Sequence, residues 1–148
     1  MIHFVTVVLN DIFEQKRDFQ WQCPEHCFKC KYYKVWGHGF VPRIFDGFSA
    51  PLLLKCYRCP NCGTVITLRP KTHFSRIQSS IETIRSLLQH RVKKGCWGVS
   101  AVFTSRFRHW HTNLRRRIKA YLTEQWSSGT ITAFDLLITQ GQVPVSKI

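Results

Sequence analysis

Seven cysteines and seven histidines supply the side chains with ligand chemistry, and six of the cysteines fall between positions 23 and 62. Two Cys-x-x-Cys pairs stand out: Cys27-Phe-Lys-Cys30, and Cys59-Pro-Asn-Cys62 followed by Gly63. A two-residue spacer in a tight turn lets two thiolates converge on one ion at about 2.3 Å while backbone N–H groups donate to the sulfurs. The glycine after the second cysteine relieves the turn where φ becomes positive. Two such pairs, with 28 residues between Cys30 and Cys59, suit a tetrahedral four-cysteine zinc site with a two-stranded excursion between its halves. Cys27, Cys30, Cys59 and Cys62 are therefore the expected Zn2+ ligands. Three neighbours compete for the same role, because Cys23-x-x-His26 forms an alternative first pair and Cys56-x-x-Cys59 is itself a Cys-x-x-Cys. Four thiolates leave no coordination position for water, so the metal's expected role is structural, not that of a Lewis acid. His38, between two glycines, reads as a hairpin residue, and Cys96, alone beside Gly95, as a packed or free thiol.

The same residues exclude several functions. An odd cysteine count, with no charged, apolar and small-residue leader at the start, argues against a secreted disulfide scaffold and for a reducing, cytoplasmic setting. Residues 1–13 are apolar, but Asp11 interrupts them and they are too short to span a bilayer, so no membrane association is expected. A zinc-dependent deaminase needs His-x-Glu upstream of Pro-Cys-x-x-Cys, and neither motif occurs. A rubredoxin-like iron carrier shares the Cys-Pro-x-Cys-Gly turn but has no use for the chain's charge. The eight acidic residues fall singly, leaving no carboxylate cluster for two-metal chemistry on DNA, so no catalytic activity is expected.

That charge is large. The 148 residues carry 22 Lys+Arg against 8 Asp+Glu, a net +14, with enough hydrophobic residues (44%) to build a core. An excess of this size on a folded chain points to a polyanionic partner, nucleic acid first. Its distribution narrows the surface, since residues 27–68 hold six cations against Asp46, while residues 69–119 hold thirteen against Glu82 alone. Arg43 and Arg58 flank the ribbon and are candidate phosphate contacts, together with Arg91, Lys93 and Lys94. The run Arg106-Phe-Arg-His-Trp-His-Thr-Asn-Leu-Arg-Arg-Arg-Ile-Lys119 interleaves cations with aromatics on an expected helix. Arg106, Arg108, Asn113, Arg115, Arg116, Arg117 and Lys119 are its candidate DNA contacts, with Arg115 to Arg117 expected to lie off the buried face. A zinc-stabilised protein adaptor, anchored by Trp36, Trp97 and Trp110, is the competing reading.

The elements that must position these residues are short. Residues 32–40, 52–57 and 64–68 are rich in β-branched and aromatic residues, bounded by Gly, Pro and Cys, and read as antiparallel strands. After Pro70 the period lengthens: Ser75 and Gln78 have the form of a capping box, and Ile77, Ile81, Ile84 and Leu88 fall on one stripe, giving a helix over 76–91 broken by Gly95 and Gly98. A second helix over 105–125 places Phe107, Trp110, Leu114, Ile118 and Tyr121 on its buried face. The expected fold class is α+β, a small zinc ribbon followed by two or three helices. Its expected parts are an unassigned segment 1–19, the ribbon 20–70, a basic helical DNA-binding extension 71–126, and a tail 127–148 whose apolar run at 134–138 carries little chemistry.

Taken together, Cys27-x-x-Cys30, then Trp36-Gly37-His38-Gly39-Phe40-Val41-Pro42-Arg43, then Arg58-Cys59-Pro60-Asn61-Cys62-Gly63-Thr64 and Leu68-Arg69-Pro70 resemble the zinc-ribbon domains found in or beside transposases of bacterial insertion sequences. The resemblance covers about residues 27–91. It implies DNA binding, a role in placing a transposase on element ends, and a transposase or other mobile-element protein as a partner. The departure is the catalytic part, since those transposases carry a longer domain with three metal-binding carboxylates.

Overall fold

The computed structural model describes residues 1–98, 104–123 and 126–147 and divides into two compact units, Met1–Gln78 and Ser79–Ile148. It is α+β, with a four-stranded mixed sheet and four α-helices among the described residues.

The first unit is built on strands β1 (Ile2–Val5), β2 (Trp36–Arg43), β3 (Leu52–Arg58) and β4 (Val65–Pro70), in the order β1-β4-β3-β2. Three expected strands are present, but the first starts later than expected: Tyr32 closes the turn before it, accepting from the Cys27 N–H, and Trp36 begins the pairing, opposite Arg58. β1 lies in the segment the sequence left unassigned and pairs parallel to β4, Ile2 opposite Thr67 and Val5 opposite Pro70. A four-residue strand whose partner lies more than sixty positions away leaves no local turn signal. Helix α1 (Leu9–Gln15) follows it and buries Ile12.

Alternation along β3 and β4 gives the sheet two covered faces. Leu52 and Leu54 pack with Phe45 and Ile12, while Tyr57, Ile66 and Leu68 pack with Val35, Cys27 and Cys59. The cysteine turns therefore rest on a hydrophobic layer, and the first unit has more core than a bare ribbon. Residues 71–78 belong to it as well: Arg69 Nη2 donates to Ile77 O at 2.9 Å, and the Asp46 N–H to Gln78 O at 3.1 Å.

The second unit holds α2 (Ile81–Lys94), α3 (Thr104–Arg117) and α4 (Thr130–Thr139), with α2 packed against both others. α2 starts five residues later than the expected 76, because Arg76 sits at φ 65° and cannot continue a right-handed helix. Ser80 is the cap, its hydroxyl accepting from the Thr83 N–H at 3.0 Å, and Gly95 ends the helix in the left-handed conformation. Phe107, Trp110 and Leu114 are buried as expected; a wider π turn over Ile118–Leu122 then shifts the stripe, leaving Ile118 partly buried and Tyr121 exposed. The last two residues of the expected helix, Glu124 and Gln125, lie outside the described residues. α4 buries Ala133, Phe134 and Leu137.

Two residues expected to face DNA face inward instead. Arg117 is 7% exposed and donates to Ser146 O, Ser146 Oγ, Gln142 Oε1 and Lys147 O at 2.7–3.0 Å. Asn113 is 1% exposed, donates to Val145 O and lies 3.0 Å from His109 Nε2. The segment after α4, expected to carry little chemistry, thus supplies the acceptors that make an inward arginine tolerable. Arg117→Ala strands these acceptors and is expected to cost the second unit about 2–4 kcal/mol, whereas Arg116→Ala, at an exposed position, stays within about 0.5 kcal/mol. Thermal unfolding of the two variants checks the difference.

Candidate metal centre

Each cysteine pair sits in a turn with the same wiring. The Cys27 N–H donates to Tyr32 O (2.9 Å) and the Lys31 N–H to Cys27 O (2.8 Å); in the second turn the Cys59 N–H donates to Thr64 O and the Gly63 N–H to Cys59 O, both at 3.0 Å. Both turns pass through positive φ just after the second cysteine, at Gly63 (70°) and at Lys31 (60°). Lys31 thus occupies the conformation that glycine fills in its counterpart, at a small steric cost. The first turn hides this equivalence from the sequence, because no glycine marks it.

The Sγ atoms of Cys27, Cys30, Cys59 and Cys62 all lie within 4.8 Å of one another. Cys27 and Cys62 approach to 3.7 Å, Cys30 and Cys59 to 3.5 Å. An ideal tetrahedron of sulfurs at the Zn–S distance of about 2.3 Å has edges of about 3.8 Å, whereas a disulfide would bring two sulfurs to about 2.05 Å. The spacing suits thiolates around one metal ion. Polar partners surround the sulfurs: Asn61 Nδ2 donates to Cys30 Sγ at 3.7 Å, across from one turn to the other, and the Cys62 thiol donates to Thr64 Oγ1 at 3.2 Å, a hydroxyl that can donate back once the sulfur is a thiolate.

The geometry separates these four from the competing ligands. Cys56 is buried on β3 with its sulfur 3.5 Å from Thr67 Oγ1, Cys23 is exposed with its sulfur 3.6 Å from Pro24 O, and the His26 ring packs edge-on to Phe28. His38 is exposed on β2 and does not join the cluster, and Cys96 is an exposed free thiol.

Protons would compete with a metal ion for the four sulfurs. Hydrogen bonds from the Thr64 side chain and backbone hold the Cys62 thiol down, to about 6, and the Tyr32 backbone lowers that of Cys30. Burial pushes the Cys59 thiol up to about 11. At neutral pH the metal-free site thus has one thiolate ready and at least one thiol that still holds its proton.

The basic residues divide by exposure. Arg43, Arg58, Lys93, Lys94, Arg108, Arg115, Arg116 and Lys119 are exposed, while Arg106 and Arg91 are half-buried, Arg91 with its guanidinium 5.4 Å from the Trp97 ring. Arg85 is bound through both carboxylate oxygens of Asp135, at 2.9 and 2.7 Å. Arg69, 5% exposed and 5.1 Å from the Phe45 ring, is a buried cation that composition alone counts as surface. Burial, with Arg43 nearby, lowers the pKa of Arg69; burial, with the Arg69 charge, takes that of His73 down to about 4. Of the candidate protein anchors, Trp110 is buried and Trp97 packs against Phe107 and His111, leaving Trp36, 58% exposed.

No protein-family model, curated protein or solved structure matches this chain. No helix among the described residues is long and apolar enough to cross a membrane.

A four-thiolate centre must shed the Cys59 proton to take up zinc, so binding near pH 7.5 is expected to release at least one proton per ion. The sign follows: the metal-free site takes up protons as pH falls and the loaded site does not, so zinc affinity, and the melting temperature it supports, falls from pH 8 towards 5. Calorimetry in buffers of different ionisation enthalpy measures this release. Binding without any proton release would contradict the assignment.

Proposed function

We propose that this protein is a zinc-stabilised DNA-binding protein of the zinc-ribbon type associated with transposition, and that it is not itself an enzyme. In this reading Cys27, Cys30, Cys59 and Cys62 hold one structural zinc ion whose binding supplies folding free energy, on the order of 10 kcal/mol by comparison with zinc-finger peptides. The DNA-contacting surface is the outer face of α3, with the end of α2 beside it in sequence. The observation that carries this reading is a stripe on α3. Arg108, Thr112, Arg115 and Arg116 recur at i, i+4, i+7 and i+8, all exposed, and no acidic residue occurs from position 83 to 123. Cations so placed neutralise successive phosphates and release condensed counterions.

The link to transposition rests on the motif resemblance over residues 27–91, and a cytoplasmic setting on the free thiols. DNA is favoured over a protein partner because, of the three tryptophans an adaptor would use as anchors, Trp110 is buried and Trp97 packs against Phe107 and His111.

Arg108→Ala, Arg115→Ala and Arg116→Ala combined remove three exposed cations and leave Arg117 in place. The variant is expected to keep its melting temperature and metal content, to bind duplex DNA more weakly whatever the sequence, and to flatten the log K against log salt slope by about 0.9 per lost phosphate contact. Unchanged duplex affinity and salt slope would remove α3 as the binding element.

A further inference from the structure

The α3 stripe leaves one prominent feature of the first unit unexplained. Trp36 opens the edge strand β2 opposite Arg58 and is 58% exposed. Among the described residues no ring or cation stacks on its indole. Beside it lies an open cavity of about 350 Å³, lined by Trp36, His38, Arg58 and residues of the second cysteine turn. Arg58 reaches over that turn, its Nη2 3.9 Å from where a side chain at Gly63 would begin. No acidic residue occurs in positions 26–45 or 47–81, so the cations of this sheet meet little opposing charge from their own segments.

An exposed indole, a second aromatic ring and a guanidinium around one concavity, on an acid-free stretch, suit a ligand with flat π-faces and a negatively charged backbone. Duplex DNA offers the charge but hides its base faces in the stack. An unpaired strand offers both, because each base exposes a face that can lie on an aromatic ring while the adjacent phosphate meets a cation. We propose that the Trp36, His38 and Arg58 surface is a stacking platform for unpaired DNA, distinct from the duplex-contacting stripe on α3. Trp36 carries a base and Arg58 its phosphate. The proposal rests on the DNA-binding reading above and gives the first unit a direct role beside its structural one. An edge strand can also accept a peptide by strand addition, but that mode reads backbone groups and does not call for an indole beside a guanidinium.

The test uses the full-length, zinc-loaded protein, a short labelled oligo-dT strand and a mixed-sequence duplex of the same length, followed by fluorescence anisotropy at one moderate salt concentration. Trp36→Ala is expected to weaken oligo-dT binding about tenfold, with duplex affinity, zinc content and melting temperature unchanged, and Trp36→Phe to keep most of the affinity. Unchanged oligo-dT affinity in Trp36→Ala, or an equal loss on strand and duplex, would overturn the platform, and tighter binding of oligo-U RNA than of oligo-dT would overturn its assignment to DNA. The α3 triple variant runs in parallel. If it alone weakens DNA binding, the platform fails and the DNA-binding reading stands; if the wild-type protein binds neither strand nor duplex, both fail.

Discussion

Four cysteine sulfurs within 4.8 Å of one another constrain everything around them in the first unit. As thiolates they repel one another at distances where the low-dielectric surroundings screen poorly, and as thiols they are weak hydrogen-bonding groups; a divalent cation reconciles the four. Their convergence requires two turns from distant parts of the chain to meet, and the sheet makes this possible. β2 and β3 leave the first turn and return to the second, and Tyr57, Ile66 and Leu68 form the floor on which Cys27 and Cys59 rest. β1 and α1 then add a parallel strand and a second covered face with Ile12, Phe45, Leu52 and Leu54. A metal ion held by the four sulfurs would act on the same strands as the core, so that neither would have to stabilise the unit alone.

The second unit solves a different problem, how to fold a chain so rich in cations. It withdraws Arg117 from the surface by giving it the residues after α4 as acceptors, and pairs the partly exposed Arg85 with the carboxylate of Asp135. Burying the Arg117 guanidinium costs less because its donors are used, by the backbone carbonyls and side chains of residues 142–147. Of the cations left outside, Arg108, Arg115 and Arg116 lie on one stripe of α3, and their mutual repulsion is what an anionic partner would relieve.

Much of this was legible in the sequence where the physics is local. Cysteine spacing, Gly63 and the branched and aromatic runs marked both turns and three strands, because each signal lies within a few residues of its structure. The helix stripes of Ile84, Leu88, Phe107, Trp110 and Leu114 were legible for the same reason. What could not be read depends on distant partners: β1 pairs with a strand across the unit, Arg69 is buried against Phe45, and Arg117 was taken for a surface cation because its acceptors lie 25 to 30 residues downstream. Near 76 a plausible Ser75 cap lost to Ser80, since residues 71–78 are held by hydrogen bonds to Arg69 and Asp46. Choosing among Cys23, His26, Cys56 and the four clustered cysteines also needed three dimensions. A strand's alternation directs Cys56 to Thr67, and the sequence shows only that a cysteine is present.

Zinc X-ray absorption on the purified 148-residue chain tests whether the four clustered cysteines form a zinc centre on which the first unit is organised. One zinc ion per chain is expected, with a first shell of four sulfurs at about 2.3 Å and no nitrogen or oxygen. A first shell containing histidine nitrogen or water, or a folded protein without bound metal, would contradict it.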